Sequence, residues 1–137
     1  MVTKTLRGQV ETGCGDARNW DISEIRRTTG FDNLKEGTLN VRLDAAHSLR
    51  PDYKLLRGDR ECGRDEDLFF ERCCLVIGLH RISALIARTS RNFWGPSVLE
   101  IMAEEMLRQG YGLQDGDVLD VEVWVENLVR PSDSIAT

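Results

Sequence analysis

The sequence predicts a mainly β fold, a small barrel carrying one or two helices. Short runs of alternating or continuous apolar residues recur along the chain, separated by Gly, Pro and Asp signals, as in compact all-β domains. A strong helical pattern stands late in the sequence, after most of the strand-like runs. The regular β-α alternation of a doubly wound parallel sheet is missing. With 137 residues, one domain can bury a core without disulfides or a structural metal.

In chain order, Leu6 to Thr12 reads as a strand that ends in a glycine loop. Asp21-Ile22-Ser23-Glu24 opens a short helix, with Asp as N-cap and Glu three residues on, and Gly30 is placed to end it in a left-handed cap. Thr38 to Leu43 alternates, with Leu39, Val41 and Leu43 on one face. Asp44 to Glu66 is polar and irregular, broken by Pro51, Gly58 and Gly63, with a short strand near Tyr53 to Leu56. Leu68 to Leu79 and Ile82 to Arg88 form a hairpin about Gly78-Leu79-His80-Arg81. Asn92 to Pro96 is a loop.

The most regular helical pattern runs from Ser97 to Gln109. Leu99, Met102, Ala103 and Met106 fall at i, i+3, i+4 and i+7, Glu104 can pair with Arg108, and Gly110 follows as a stop. Asp115-Gly116 marks a turn, and Val118 to Glu126 is a last strand with Leu119, Val121, Val123 and Val125 inward. Residues 1–128 are expected to form a single domain, with 129–137 a disordered tail.

Composition narrows the function. The content is 41% hydrophobic and 30% charged, ordinary for a soluble chain. A net charge of −5 argues against non-specific binding to nucleic acid or an anionic membrane, so an anionic ligand must be held by local donors. Neither a signal-peptide core at the start nor an apolar run of membrane-spanning length is present, and the expected location is cytoplasmic. Cys14, Cys62, Cys73 and Cys74 show no zinc spacing and read as reduced, non-ligand thiols.

Two strings could carry chemistry. Gly13-Cys14-Gly15-Asp16-Ala17-Arg18 can turn successive backbone N–H groups toward one point, making an anion site to which Arg18 adds a charge-assisted contact. A tight turn with Arg18 in solvent explains the same residues, and the Walker pattern is absent. In Gly37-Thr38-Leu39-Asn40, strand geometry sends Leu39 to the core and puts Thr38 and Asn40 on one face. A hydroxyl and an amide carbonyl are hard oxygen ligands suited to Mg²⁺, and equally are two polar residues on a wet strand. Ser97-x-x-Glu100 fits a capping box, so Glu100 is either a cap or a pocket carboxylate. His47 and His80 have no recognisable partner and read as non-catalytic.

These pieces together resemble the archaeal CTP-dependent riboflavin kinases. The resemblance runs through Gly8-x-Val10-x-Thr12-Gly13-x-Gly15-Asp16-x-Arg18, Gly30-Phe31 and Glu36-Gly37-Thr38-Leu39-Asn40-Val41. It resumes at Arg88-Thr89, Val98-Leu99-Glu100-Ile101-x-Ala103, Leu107-Arg108 and Leu113-x-Asp115-Gly116-Asp117-Val118. It implies a six-stranded Greek-key (cradle-loop) barrel that transfers the γ-phosphate of CTP to the riboflavin 5′-hydroxyl. By position it also implies nucleotide contacts from Cys14, Gly15, Asp16, Ala17, Arg18, Asn19, Glu105, Met106, Leu107 and Arg108. Thr89 and Glu100 are implied at the flavin and Thr38 and Asn40 at Mg²⁺. For the reaction itself we expect Arg18 or Arg108 to stabilise developing charge and Glu100 to orient the flavin, which makes Arg18 and Glu100 the candidate catalytic residues. The implied partners are riboflavin and CTP, with no nucleic acid or membrane, and the chain is expected to be a monomer.

The sequence departs from the family pattern at Ala17 and Asn19 in the glycine loop, at Glu104 where a Pro is usual, and at Arg91 where a His is usual. Ala17 adds a Cβ where close phosphate approach favours Gly. Three alternatives therefore stand beside a CTP kinase: a kinase with another donor, a non-catalytic flavin- or nucleotide-binding module, and an interaction domain with no small ligand.

Overall fold

A computed structural model describes residues 2–13, 20–56, 67–90 and 95–125. Cys14 to Asn19, Cys62, Arg91 and the tail from 129 onward lie outside the described residues, and so do the expectations that fall on them.

The elements in chain order are β1 (Val2–Glu11), α1 (Ile22–Thr29), β2 (Leu39–Leu43), β3 (Tyr53–Leu55), β4 (Leu68–Ile77), β5 (His80–Thr89), β6 (Val98–Ala103), α2 (Leu107–Tyr111) and β7 (Val118–Val125). The hydrogen-bonded order is β3-β4-β5-β6-β2-β1-β7, and a further β4–β7 pairing closes six of these strands into an antiparallel barrel. β3 hangs on the outer edge of β4. The β2-to-β4 and β6-to-β7 connections join strands that are not neighbours, which gives the expected Greek-key crossovers.

β1 begins four residues earlier than expected. Val2 to Thr5 pair with Glu122 to Val125 of β7 while their side chains face solvent, so no apolar alternation marks them. α1 follows the sequence closely: Asp21 accepts a hydrogen bond from the Glu24 amide, and Gly30 caps the end at φ 79°. The hairpin turns at Gly78-Leu79.

Two cores share the sheet. Inside the barrel, Val10, Val41, Leu75, Ile86, Leu99, Ile101 and Val121 interdigitate. Outside it, Ile25 of α1 and Leu34 pack on Phe70, Leu85, Ala87 and Met102.

β6 overturns the helix expected from Ser97 to Gln109. It pairs with both β2 and β5, and its two faces are covered by different cores, Leu99, Ile101 and Ala103 by the inner and Met102 by the outer. A strand buried on both faces is apolar at nearly every position, so a 3.6-residue period can be picked out of it by coincidence. The helix begins only at Leu107 and is capped by Gly112 rather than Gly110. The Ser97–Glu100 capping box falls with it, as does the Glu104–Arg108 pair. Glu104 instead accepts the Asn33 amide, and Arg108 pairs with Asp115.

Candidate functional site

The ends of β1 and β6 and the starts of β2 and β7 meet at one end of the barrel. There a cleft of about 180 Å³ is lined by residues 35–39 on one side and by Ala103, Glu105, Met106, Leu107 and Arg108 on the other. Gly37, at φ 85°, turns the chain into β2 and presents Thr38 at the cleft wall. The segment leading into the short α2 and its first two residues bring four of the sequence-predicted nucleotide contacts, Glu105 to Arg108, to the same opening.

From Thr38 a polar row runs onto the outer face of the sheet. Asn40 lies opposite Glu100, and Glu100 opposite Ala87, so these side chains share a face, with Thr89 two residues beyond Ala87. The Thr38 hydroxyl lies 3.3 Å from Asn40 Oδ1 and 3.3 Å from Glu100 Oε1. Strand spacing therefore does unite Thr38 with Asn40, as expected, and adds Glu100, a carboxylate from a strand that the sequence disguises as a helix.

The Thr38 hydroxyl proton can serve only one of these two acceptors at a time. Asn40 is nearly buried, and its Nδ2 has no hydrogen-bond partner among the described residues. A hydroxyl, an amide carbonyl and a neighbouring carboxylate are hard oxygen donors, the kind that could hold Mg²⁺. Among the described residues no group of three His, Cys, Asp or Glu side chains gathers, so the fit rests on neutral oxygens beside one carboxylate.

Gly13 lies directly over this amide. A Cβ built there would stand 2.7 Å from Asn40 Nδ2 and 2.9 Å from its Oδ1, closer than real contacts allow. The chain entering the glycine loop thus rests on the Asn40 amide, and a side chain at position 13 would have to displace it.

Other side chains are held from behind. Arg108 donates to Asp115 Oδ1 at 2.6 Å, to the Glu11 carbonyl at 3.3 Å and to the Leu113 carbonyl at 3.4 Å. Thr12 donates to Asp115 Oδ2 at 2.6 Å. These two contacts, the Thr12 bond first, hold the Asp115 carboxyl below its usual range. The Tyr111 hydroxyl donates to Glu105, and its ring meets His80 edge-on at 5.0 Å.

At the other end of the barrel, His47 and Glu71 are buried and meet at 2.8 Å. Arg88 donates to the His47 carbonyl at 2.7 Å, and burial lowers the affinity of its guanidinium for its proton. No local pattern marks this partner for His47, because Glu71 stands 24 residues away on another element. Burial pushes the Cys73 thiol up and leaves it inert, and among the described residues Cys73 and Cys74 form no disulfide. Among the described residues no helix is long and apolar enough to cross a membrane.

Residues 12–123 match the family model CTP-dep_RFKase, described as Domain of unknown function DUF120. The chain is 31% identical over 128 residues to a riboflavin kinase of Methanocella arvoryzae, an alignment covering 88% of this chain and 56% of that protein. It is 29% identical over 133 residues to a riboflavin kinase of Archaeoglobus fulgidus, covering 88% and 55%. A riboflavin kinase of Methanospirillum hungatei is 26% identical over 129 residues, covering 86% and 57%. The chain thus spans just over half the length of these curated relatives.

Proposed function

The chain belongs to the CTP-dependent riboflavin kinase family, and from that membership we propose that it transfers the γ-phosphoryl group of CTP to the 5′-hydroxyl of riboflavin, giving FMN and CDP. The observation that carries this reading is the meeting of Thr38, Asn40 and Glu100 oxygens beside the cleft of Glu105 to Arg108. Phosphoryl transfer needs little covalent help from the protein and depends on positioning and charge neutralisation. In this reading Thr38 and Asn40 hold Mg²⁺, which when bound neutralises phosphate charge.

Glu100 orients the riboflavin ribityl chain together with Thr89, both on the outer face. The attacking hydroxyl oxygen forms the new P–O bond, the bond to the β-phosphate oxygen breaks, and the hydroxyl proton passes to solvent. The main-chain amides of residues 14–18, with Arg18, bind the leaving diphosphate. The site lies on described chain except for that loop. Monomeric state and a cytoplasmic setting complete the proposal.

Incubating the chain with Mg²⁺, riboflavin and a panel of nucleoside triphosphates, then separating flavins by chromatography, tests it. FMN formed best from CTP is the expected result. FMN from another triphosphate replaces the donor, and flavin binding without FMN replaces the kinase by a binding module. The double variant Thr38→Ala/Asn40→Ala is expected to lose about a hundredfold or more of the metal-dependent turnover while melting as a folded protein. Full activity in that variant removes Thr38 and Asn40 from the metal.

A further inference from the structure

Asp115 reads from the sequence as the first residue of an Asp-Gly turn, yet its carboxylate reaches two distant elements. Oδ2 accepts the hydroxyl of Thr12, 103 residues away in sequence, at the point where β1 runs into the glycine loop. Oδ1 accepts Arg108, which lines the cleft from α2. The same guanidinium reaches back to the Glu11 carbonyl, so β1, α2 and the turn before β7 are cross-tied at a single point. The backbone seals this junction, with Gly116 N donating to the Val10 carbonyl and Val10 N to the Asp117 carbonyl. One residue beyond Thr12, Gly13 rests on the Asn40 amide.

We infer that Asp115 is a positioning residue whose clamp on Thr12 and Arg108 sets the spacing between the α2 wall of the cleft and the Thr38–Asn40–Glu100 oxygens. The inference rests on the kinase reading above for the identity of the nucleotide. The clamp binds no substrate itself. It fixes Arg108 against the chain that carries Gly13, so the two sides of the nucleotide site keep one separation. Without Asp115, Arg108 would lose its ionic partner and Thr12 its acceptor, and the entry to the glycine loop would be free to lift from Asn40. A misplacement of about 1 Å at such a site can cost on the order of a hundredfold in rate, so a modest loosening has a measurable effect.

The test compares Asp115→Asn, Thr12→Val, Thr12→Ser and the double variant Thr12→Val/Asp115→Asn with the parent chain, by steady-state kinetics and by calorimetric titration with Mg·CTP. Asp115→Asn is expected to raise the nucleotide KM roughly tenfold and leave the riboflavin KM within about twofold. Thr12→Val should act in the same direction, Thr12→Ser should restore parent behaviour, and the double variant should be no worse than Asp115→Asn. That non-additivity is what one shared clamp requires. A nucleotide KM within twofold of the parent in Asp115→Asn overturns the inference. So do multiplying effects in the double variant, or equal losses for both substrates that track a lower Tm. If the parent chain binds Mg·CTP without making FMN, the kinase reading fails and the same ratios of Kd decide the clamp. Absence of Mg·CTP binding by the parent overturns both.

Discussion

At one end of the barrel His47 and Glu71 meet at 2.8 Å with almost no solvent contact; at the other, Arg108 and Asp115 meet at 2.6 Å with side chains 39% and 56% exposed. The two contacts have similar lengths and opposite consequences. The buried pair has left water completely, so removing one member strands the other in a medium that cannot solvate it. The exposed pair exchanges protein partners for water at small net cost, so its value lies in where it holds the chain. One end therefore contributes mainly to stability and the other mainly to the geometry of the cleft, and each can be perturbed to see whether that division holds.

The largest effect is expected at Glu71. Its carboxylate accepts His47 Nε2 at 2.8 Å and the Arg50 amide at 3.3 Å, and it is the foremost carboxylate offsetting the half-buried Arg88 charge. Glu71→Ala should lower unfolding free energy by about 3–5 kcal/mol in urea titration. At a temperature where the variant stays folded, its nucleotide KM should match the parent's. A cost below about 1 kcal/mol would erase the contrast between the two ends. Adding His47→Leu to Glu71→Ala should cost no more than the single change, because the stranded imidazole is removed as well.

The same contrast explains what could be read from the sequence. α1 was legible because its cap, first-turn Glu24 and terminal Gly30 are all local signals. β2 was legible because apolar Leu39, Val41 and Leu43 alternate with polar Asn40 and Arg42, so the period of two survives in the sequence. β6 was misread because both of its faces are buried, which removes the polar half of the pattern. For Glu100 the local signals leave a cap and a pocket carboxylate equally open, and the resemblance alone places it at the flavin. Its local reading as a cap assumed the wrong element, and its true neighbour Asn40 is fixed by register across the sheet. Thr12–Asp115 and His47–Glu71 could not be foreseen at all, since nothing local marks a partner 103 or 24 residues away. Short-range chemistry writes itself into neighbouring residues, whereas barrel closure does not.

A smaller effect on stability and a larger one on activity are expected at Gly13, on the cleft side of the comparison. A methyl group there would press within 2.7–2.9 Å of the Asn40 amide, and Asn40 is itself nearly buried with little room to retreat. Gly13→Ala should cost about 1–3 kcal/mol of stability, in the range of overpacked sites. It should also lower turnover by roughly tenfold or more by displacing a proposed metal ligand. Raising Mg²⁺ should recover part of that loss if the damage lies at the metal. Turnover that falls only in step with Tm would move Gly13 to the stability side.

The smallest effect concerns the exposed clamp under changed solvent. Thr12 and Arg108 depress the Asp115 carboxyl, so its ionised form is favoured by folding. A depressed carboxyl stabilises in full above its unfolded value, 3.8, and loses that contribution as pH falls through its lower folded value. The Tm difference between the parent chain and Asp115→Asn should therefore be small and constant from neutral pH down to the unfolded value, and shrink below it. Raising salt to about 1 M should shrink it too, because the Debye length falls to about 3 Å. The deficit of Glu71→Ala should be nearly indifferent to the same salt, since ions do not reach a buried pair. If salt weakened both deficits alike, burial would not be what separates the two ends, and the division between a stabilising corner and a positioning clamp would have to be given up.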